Sequence, residues 1–409
     1  MSHTELKIQM PDPVRRILRT LQKGGYRGYI VGGCVRDALI GRVPNDYDIT
    51  TNAKPEEIKA LFPHTIDTGI QHGTVTVRMN HESYEVTTFR VDGAYLDNRH
   101  PESVSFTDDL AEDLIRRDFT INAMAYNDEE GLVDLFGGQQ DLENRVIRAV
   151  GDPEQRFKED ALRIMRCVRF GAQLGFTIDH DTYLAAIKLS DTLRFISAER
   201  IREELMKILT SDRQTDVSVL DDVGALDSFF PEYRRNRERT NELLAVMPKD
   251  RIMRLTGLLG RTGERFTDTY QTAERFFDAL KFDNDTKNTV LHVLRFGRTD
   301  LKADRVQLRR FLNAAGKENC EYILTFIEKN RSVDLSDVRR EISDILVKGE
   351  CTSLKELAIS GKDLISMGMR PGKEMGEILM ELLSEVLSDP VKNTRETLLR
   401  RAAEIRKKE

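Results

Sequence analysis

The chain has 409 residues, 39% of them hydrophobic and 32% charged, with a net charge of −6. That length calls for two to four modules, and the composition describes a surface-rich, helical protein rather than one coated in positive field. No apolar run approaches the roughly 18 residues of a membrane span, the opening "MSHTELKIQMPD" has no signal-peptide core, and Cys34, Cys167, Cys320 and Cys351 are too scattered for structural zinc or a disulfide framework, which fits a reducing cytoplasm.

Val14, Ile17, Leu18 and Leu21 form one helical stripe within residues 13–24, stopped by Gly24-Gly25. "YRGYIV" then reads as a buried strand, Val35 to Ile40 as a short helix and Tyr47 to Thr51 as a second strand. "KPEEIKALF" is a helix with proline near its start. "TVTVRM" and "YEVTTFR" alternate with period two and are joined by "NHES", the pattern of a β-hairpin. Helices mixed with strands over the first ~130 residues predict an α+β head. From Pro153 onward apolar residues recur at three and four: "PEQRFKEDALRIMRCVRFGAQLGF" and "SAERIREELMKILTS" are amphipathic helices, the second opening on Ser197 as N-cap. Beyond Asp216 the chain reads as helical, with breaks near Pro231, Pro248, Gly297 and Pro371 and no repeat of fixed period. "RRNRER" at 234–239, "RVQLRR" at 305–310 and the closing "EIRKKE" offer local basic stripes for phosphate, and each reads equally as a solvated helix face.

The chemistry concentrates in "YIVGGCVRDALIGRVPNDYDIT", residues 29–50. Asp46 and Asp48 flank one residue, and alternate side chains of a strand share a face. Two such carboxylates repel unless divalent cations sit between them, and magnesium combines carboxylate oxygens with phosphate oxygens and water. Gly32 and Gly33 let backbone N–H groups approach phosphate closely at a helix start, and Arg36 follows one turn on. Taken singly, "PNDYD" is also a polar turn and a glycine pair after a strand is common. The joint order of strand, GG, arginine-bearing helix and DxD strand carries the specificity.

"GGCVRDALIGRVPNDYDI" resembles the signature of nucleotidyltransferases related to DNA polymerase β. The best match is the class II branch of bacterial tRNA CCA-adding enzymes and poly(A) polymerases. "HGTVTV", "YEVTTFRVDGAYLDNRHPESVSF", "DLIRRDFTINAMAYN", "DLFGGQQDLENRVIRAVGDPEQRFKEDALRIMRCVRF" and "SAERIREEL" match in order, covering about residues 28–207. The resemblance implies a polymerase-β-like catalytic head over 1–148, a helical neck that recognises the base over 149–212, a helical body over 213–298 and a helical tail over 299–409. It also implies attack of an RNA 3′-hydroxyl on the α-phosphate of CTP or ATP, with two magnesium ions on Asp46 and Asp48. Glu85 is the candidate third acid, although it also fits a solvent-facing strand position. By resemblance Arg117, Asp118 and Asn122 surround the sugar and phosphates of the incoming nucleotide; the alternative is a surface turn knitted by ion pairs.

In "EDALRIMRCVRF", Asp160 and Arg163 read as neighbours one helical turn apart. A carboxylate only accepts hydrogen bonds and a guanidinium only donates. That pair complements the donor–acceptor edges of cytosine and adenine and sets like against like for guanine and uracil, at roughly 1–3 kcal/mol per unpaired group. Arg166 and Arg169 extend the helix for phosphate or base positioning, or form an ordinary basic face. The intact loop "DGAYLDNRHPESVSFTDD" favours complete CCA addition over partial addition, and "IDTGIQHGTVTV" departs from the block expected of poly(A) polymerases; A-only addition stays open. His180-Asp181 is followed by only one further histidine, His292, too few ligands for a phosphohydrolase centre, so His180 reads as surface or cap. The expected partner is tRNA, gripped by the tail at its acceptor arm and elbow. Oligomeric state is left open. A decayed, RNA-binding head and a small-molecule nucleotidyltransferase are the readings of other classes, disfavoured by the intact acids and by the base-reading helix with its long helical tail.

Overall fold

The computed structural model describes residues 7–93 and 103–406. The chain divides into one compact unit of residues 1–237 with 278–281 and a second of 238–277 with 282–409.

The first unit opens with α1 (Asp12–Lys23), whose Val14, Ile17, Leu18 and Leu21 are buried as the stripe requires. Gly25, at φ 86°, turns the chain into β1 (Gly28–Val31), buried along its whole length. α2 (Gly33–Leu39), β2 (Asp48–Thr51), α3 (Pro55–Leu61) and β3 (Thr65–Gly69) follow. β4 (Thr74–Met79) and β5 (Glu82–Thr88) form the expected hairpin, but its turn is tighter than "NHES" suggested. Met79 pairs with Glu82, and only Asn80 and His81, at φ 52° and 68°, make the reversal. Two consecutive left-handed residues match the right-handed twist of the strands, which is why the ladder runs on into the sequence read as loop.

β6 (Arg90–Asp92) and β7 (Val104–Phe106) pair antiparallel and pin the base of the loop read above as a mark of full CCA addition. Residues 94–102 of that loop lie outside the described residues. After α4 (Leu110–Ile115) and a 3-10 turn (Thr120–Asn122) come β8 (Met124–Asn127) and β9 (Gly131–Asp134). The seven-stranded sheet has the order β3-β4-β5-β2-β1-β8-β9. Only β2 and β5 run parallel; the other pairs are antiparallel. The mixed sheet is closed on one face by α4, with Tyr29, Val31, Phe89, Leu110, Leu114 and Ala125 in one core cluster.

α5 (Gly138–Asn144) and β10 (Val146–Ile147) lead into α6 (Pro153–Glu159) and α7 (Leu162–Leu174). The sequence reads these last two as one helix. The chain instead breaks at Asp160, whose backbone is extended (φ −140°, ψ 103°) and whose side chain accepts from the Leu162 N–H. An aspartate that satisfies an orphan N–H at a helix start competes with helix continuation, so the break is local chemistry. β11 (Thr177–Ile178) pairs parallel with β10, a strand that helical periodicity did not signal. α8 (His180–Leu189) is capped by Asp179, leaving His180 exposed. α9 (Ala198–Leu209) starts after Ser197, whose side chain makes no capping bond. α10 (Val217–Asp222) and α11 (Glu232–Val246) follow.

The rest is helical: α12 (Arg251–Leu259), α13 (Phe266–Ala279), α14 (Asn284–Phe296), α15 (Arg305–Ala315), α16 (Cys320–Arg331), α17 (Ser336–Val347), α18 (Gly361–Ser366), α19 (Lys373–Ser388) and α20 (Arg395–Arg406). A core including Leu364, Leu382, Val386, Leu398 and Ala402 ties the last three together. Several arginines of the first two basic runs are ion-paired. Arg234 and Arg237 pair with Asp221, and Arg305 with Glu341, Asp344 and Glu350. Arg309 is buried, donating to the Leu387 carbonyl at 2.7 Å. No helix among the described residues is long and apolar enough to cross a membrane.

Candidate active site

Asp48 opens β2 opposite Val31 of β1. In the parallel β2–β5 pair Ile49 faces Val86, so Asp48 and Glu85, each one residue earlier, stand side by side on one face of the sheet. Asp46 and Glu85 line the same cleft of about 680 Å³ as Asp48, with Tyr47, Thr76 and Tyr84. Although its surface is open to solvent, Asp48 is crowded by protein. Desolvation pushes its carboxyl above the ordinary value; Arg117 opposes this, and the negative charges of Asp46 and Glu85 add to it. Desolvation is the larger cause, and the added repulsion from Asp46 and Glu85 is of the kind a divalent cation relieves. Among the described residues no three His, Cys, Asp or Glu side chains converge tightly enough to enclose a metal. The carboxylates at this strand end would fit a hard divalent cation, which takes one or two carboxylates and completes its shell with water and substrate phosphate.

On the other side of Asp48 lies the glycine turn. Gly32 sits at φ 80°, and a Cβ there would lie 3.1 Å from Arg117 Nη1. Arg36, on α2, donates from Nη1 to Asn122 Oδ1 at 2.7 Å. Asn122 donates to Asp118 at 3.1 Å, and Arg166 of α7 donates to the other oxygen of Asp118, from Nε at 2.9 Å and from Nη2. A chain Arg36–Asn122–Asp118–Arg166 thus ties α2 to α7. Asp118 and Asn122 are buried, at 8% and 6% exposure, so the surface-turn alternative does not hold. Desolvation works to raise the Asp118 carboxyl, but Arg166 and Asn122 outweigh it and hold it well below the usual carboxylate range. Arg117 reaches Asp113 at 3.4 Å, while its buried Nε has no hydrogen-bond partner. A buried donor without a partner is costly unless something else occupies the pocket.

Asp160 and Arg163 do not share one helix: the chain is extended at Asp160, just before α7, although the Asp160 carbonyl still accepts from the Arg163 N–H at 2.9 Å. Arg163 donates to the Arg156 carbonyl (3.0 Å), Glu159 (2.7 Å) and the Arg116 carbonyl (2.8 Å). Three of the five N–H groups of its guanidinium are thereby used. Asp160 is held instead by Arg200 of α9. Arg169 is no solvated basic face: it is 8% exposed and ion-paired with Glu204, itself 4% exposed. Sequence reasoning does not single out Arg200 and Glu204, which hold Asp160 and Arg169; in "SAERIREEL" Glu204 falls on the apolar face defined by Ile201, Leu205 and Ile208, the mark of a buried acid, and nothing local marks Arg200.

A mixed sheet that sets carboxylates beside a glycine turn and arginines defines a nucleotidyltransferase head. Residues 28–148 match the model of the poly A polymerase head domain, 175–236 the probable RNA and SrmB-binding site of polymerase A, and 266–402 the tRNA nucleotidyltransferase domain 2. The chain is 39% identical over 396 residues to a CCA-adding enzyme of Lactobacillus helveticus, covering 92% of this chain and 93% of that protein. It is 38% identical over 400 residues to one of a Geobacillus species, covering 95% and 96%. The crystal structure of the Bacillus stearothermophilus CCA-adding enzyme in complex with CTP superposes with a TM-score of 0.82 at 32% identity, covering 98% and 100%. The chain belongs to the tRNA nucleotidyltransferase family that includes the CCA-adding enzymes and the bacterial poly(A) polymerases.

Proposed function

We propose that the protein adds CCA to the 3′ end of tRNA, without a nucleic-acid template, from CTP and ATP with release of pyrophosphate. The observation that carries this reading is the position of Asp48, in one cleft with Asp46 and Glu85 and opposite the strand end that leads into the Gly32 turn beside Arg117. Its placement brings anion-binding and cation-binding groups to one strand end, as a metal–triphosphate complex needs. Relatives named CCA-adding enzymes that match over nearly the whole chain support the choice within the family.

In this reading Gly32 and Gly33 give the triphosphate close access to backbone, and Arg36 and Arg117 neutralise it. Asp118 orients Asn122 and Arg166 toward the sugar and phosphates. Asp46 and Asp48, with Glu85 beside them, would hold two magnesium ions, which when bound activate the RNA 3′-hydroxyl and offset charge on the leaving pyrophosphate. Asp160 accepts from the amino group of cytosine or adenine, and Arg163 donates to the neighbouring ring nitrogen with an N–H that its three protein contacts leave over. Arg169 braces this helix from behind through Glu204. We assign the catalytic head to 1–148, the base-reading neck to 149–212, the body to 213–298 and the tRNA-gripping tail to 299–409, in a cytoplasmic protein whose four buried cysteines are free thiols.

The test is incorporation of labelled CTP and ATP, separately and together, onto tRNA lacking the whole CCA end, lacking its last two nucleotides, or lacking only the terminal A. The expected pattern is CTP on the first two and ATP only on the third. ATP incorporation on the third tRNA with no CTP incorporation on any of them would make the protein an A-adding enzyme, and unlimited ATP runs on any RNA would make it a poly(A) polymerase.

A further inference from the structure

Phe170 lies on α7 and is 5% exposed. Three guanidiniums converge on its ring: the Cζ of Arg169 lies 3.8 Å from the ring centroid, that of Arg36 5.1 Å and that of Arg166 5.3 Å. All are within the roughly 6 Å over which a cation is attracted to a π face. Phe119 meets the same ring in a T-shaped contact, with centroids 5.7 Å apart and planes at 79°. Arg36 comes from α2, beside the glycine turn, whereas Arg166 and Arg169 come from α7 itself.

Three like charges around one side chain repel. Each has an acid of its own: Asp37 for Arg36, Asp118 for Arg166 and Glu204 for Arg169. These acids lie on three different segments; Asn122 and Asp118 link Arg36 to Arg166 but leave out Arg169, whereas the ring meets all three. Its crowding is felt most by Arg169, which desolvation, resisted by Glu204 and reinforced by Arg166 and Arg36, brings down to about 10. An aliphatic side chain would fill the same apolar space without a negative π face.

We propose that Phe170 is a positioning residue for the incoming nucleotide: its ring gathers Arg36, Arg166 and Arg169 into one cationic set and so fixes the glycine turn of α2 against α7. This rests on the nucleotide-binding reading above. Phe170 touches no substrate in this scheme and acts through the arginines.

The test replaces Phe170 with leucine and, separately, with mono-, di-, tri- and pentafluorinated phenylalanine, which keep the ring's shape while draining its π face. CTP affinity is measured by calorimetry beside KM and kcat for CTP and ATP. Phe170→Leu is expected to weaken CTP binding and raise KM about tenfold, about 1.4 kcal/mol, with kcat much less affected. Affinity is expected to fall stepwise along the fluorine series. Should Phe170→Leu fail to fold, the near-isosteric series carries the test alone. A flat series in a protein that binds and incorporates CTP reduces Phe170 to a packing residue and overturns the proposal by itself. If the native chain binds no CTP, the proposal falls together with the reading beneath it.

Discussion

Arg200 grips Asp160 at two points, donating from Nη2 to one carboxylate oxygen at 2.8 Å and from Nη1 to the other at 3.3 Å. A third bond comes from the Leu162 N–H at 3.1 Å. An ionised carboxylate has roughly four acceptor sites, so about one stays open toward a base. Asp160→Ala is expected to relax nucleotide choice. Restoring tolerance for one mismatched group is worth roughly 1–3 kcal/mol, about five- to 150-fold in the ratio of CTP to UTP incorporation. Arg200→Ala is expected to give a weaker version of the same defect, because the carboxylate stays but swings. Unchanged selectivity in Asp160→Ala would remove it from base reading.

The raised Asp48 carboxyl makes a prediction of opposite signs for function and stability. Asp48→Asn is expected to abolish nucleotide incorporation while tRNA binding persists. Because the fold disfavours the ionised acid, the substitution is expected to leave stability within about 0.5 kcal/mol or raise it slightly at neutral pH. Between the ordinary 3.8 and the raised value the folded chain holds the extra proton, so Asp48 costs stability as pH rises through that window. The acid limb of activity is expected above pH 3.8 and to move to lower pH as magnesium is increased, since cation and proton compete for one site. An acid limb indifferent to magnesium would separate Asp48 from the metal.

Gly32 is the position where the glycine pair is a backbone requirement. At φ 80° an L-residue costs about 1–2 kcal/mol, and a methyl would crowd Arg117 Nη1 at 3.1 Å. Gly32→Ala is expected to raise KM for CTP and ATP in parallel more than it lowers the melting temperature. Gly33→Ala, whose methyl would meet Arg36 at an ordinary 3.6 Å, is expected to be milder. Equal effects at the two positions would count against this account.

How legible all this was in the sequence depended on what each signal measures. The α+β head and the helical remainder follow from period-two and period-3.6 burial, which the chain writes plainly at Val75/Val77 and at Val14/Ile17/Leu21. The DxD strand and glycine turn were legible because local spacing fixes them. The break at Asp160 was not: hydrophobic period runs through it unbroken, and only the competition of one side chain for one N–H ends the first helix. Arg200, Glu204 and Phe170 escaped for a different reason. Asp160 and Arg169 lie far in sequence from Arg200 and Glu204, and Arg36 reaches Phe170 from another helix, so no local pattern encodes which distant partner a buried acid or ring will collect. The hairpin turn was read too long because Asn80-His81, unlike Asn-Gly, does not announce two left-handed residues.

Asp118 offers the sharpest pH test. Its carboxyl lies below the ordinary 3.8, so its ionised form is favoured by the fold. The stability it contributes is fully present above pH 3.8, where the unfolded chain is also ionised, and is lost as pH falls through the folded value. Asp118→Asn leaves Arg166 without its anion and turns an acceptor of four hydrogen bonds into half a donor. It is expected to cost roughly 1–3 kcal/mol near neutral pH, read as a lowered melting temperature of the full chain. The gap to the parent is expected to hold constant down to about pH 5 and narrow below pH 4, as Asp118 of the unfolded parent takes a proton that the folded chain does not. Nucleotide affinity should fall in the same variant, since Asn122 and through it Arg36 lose their fixed point. A gap in melting temperature that does not narrow in acid would show that Asp118 acts through packing and not through charge.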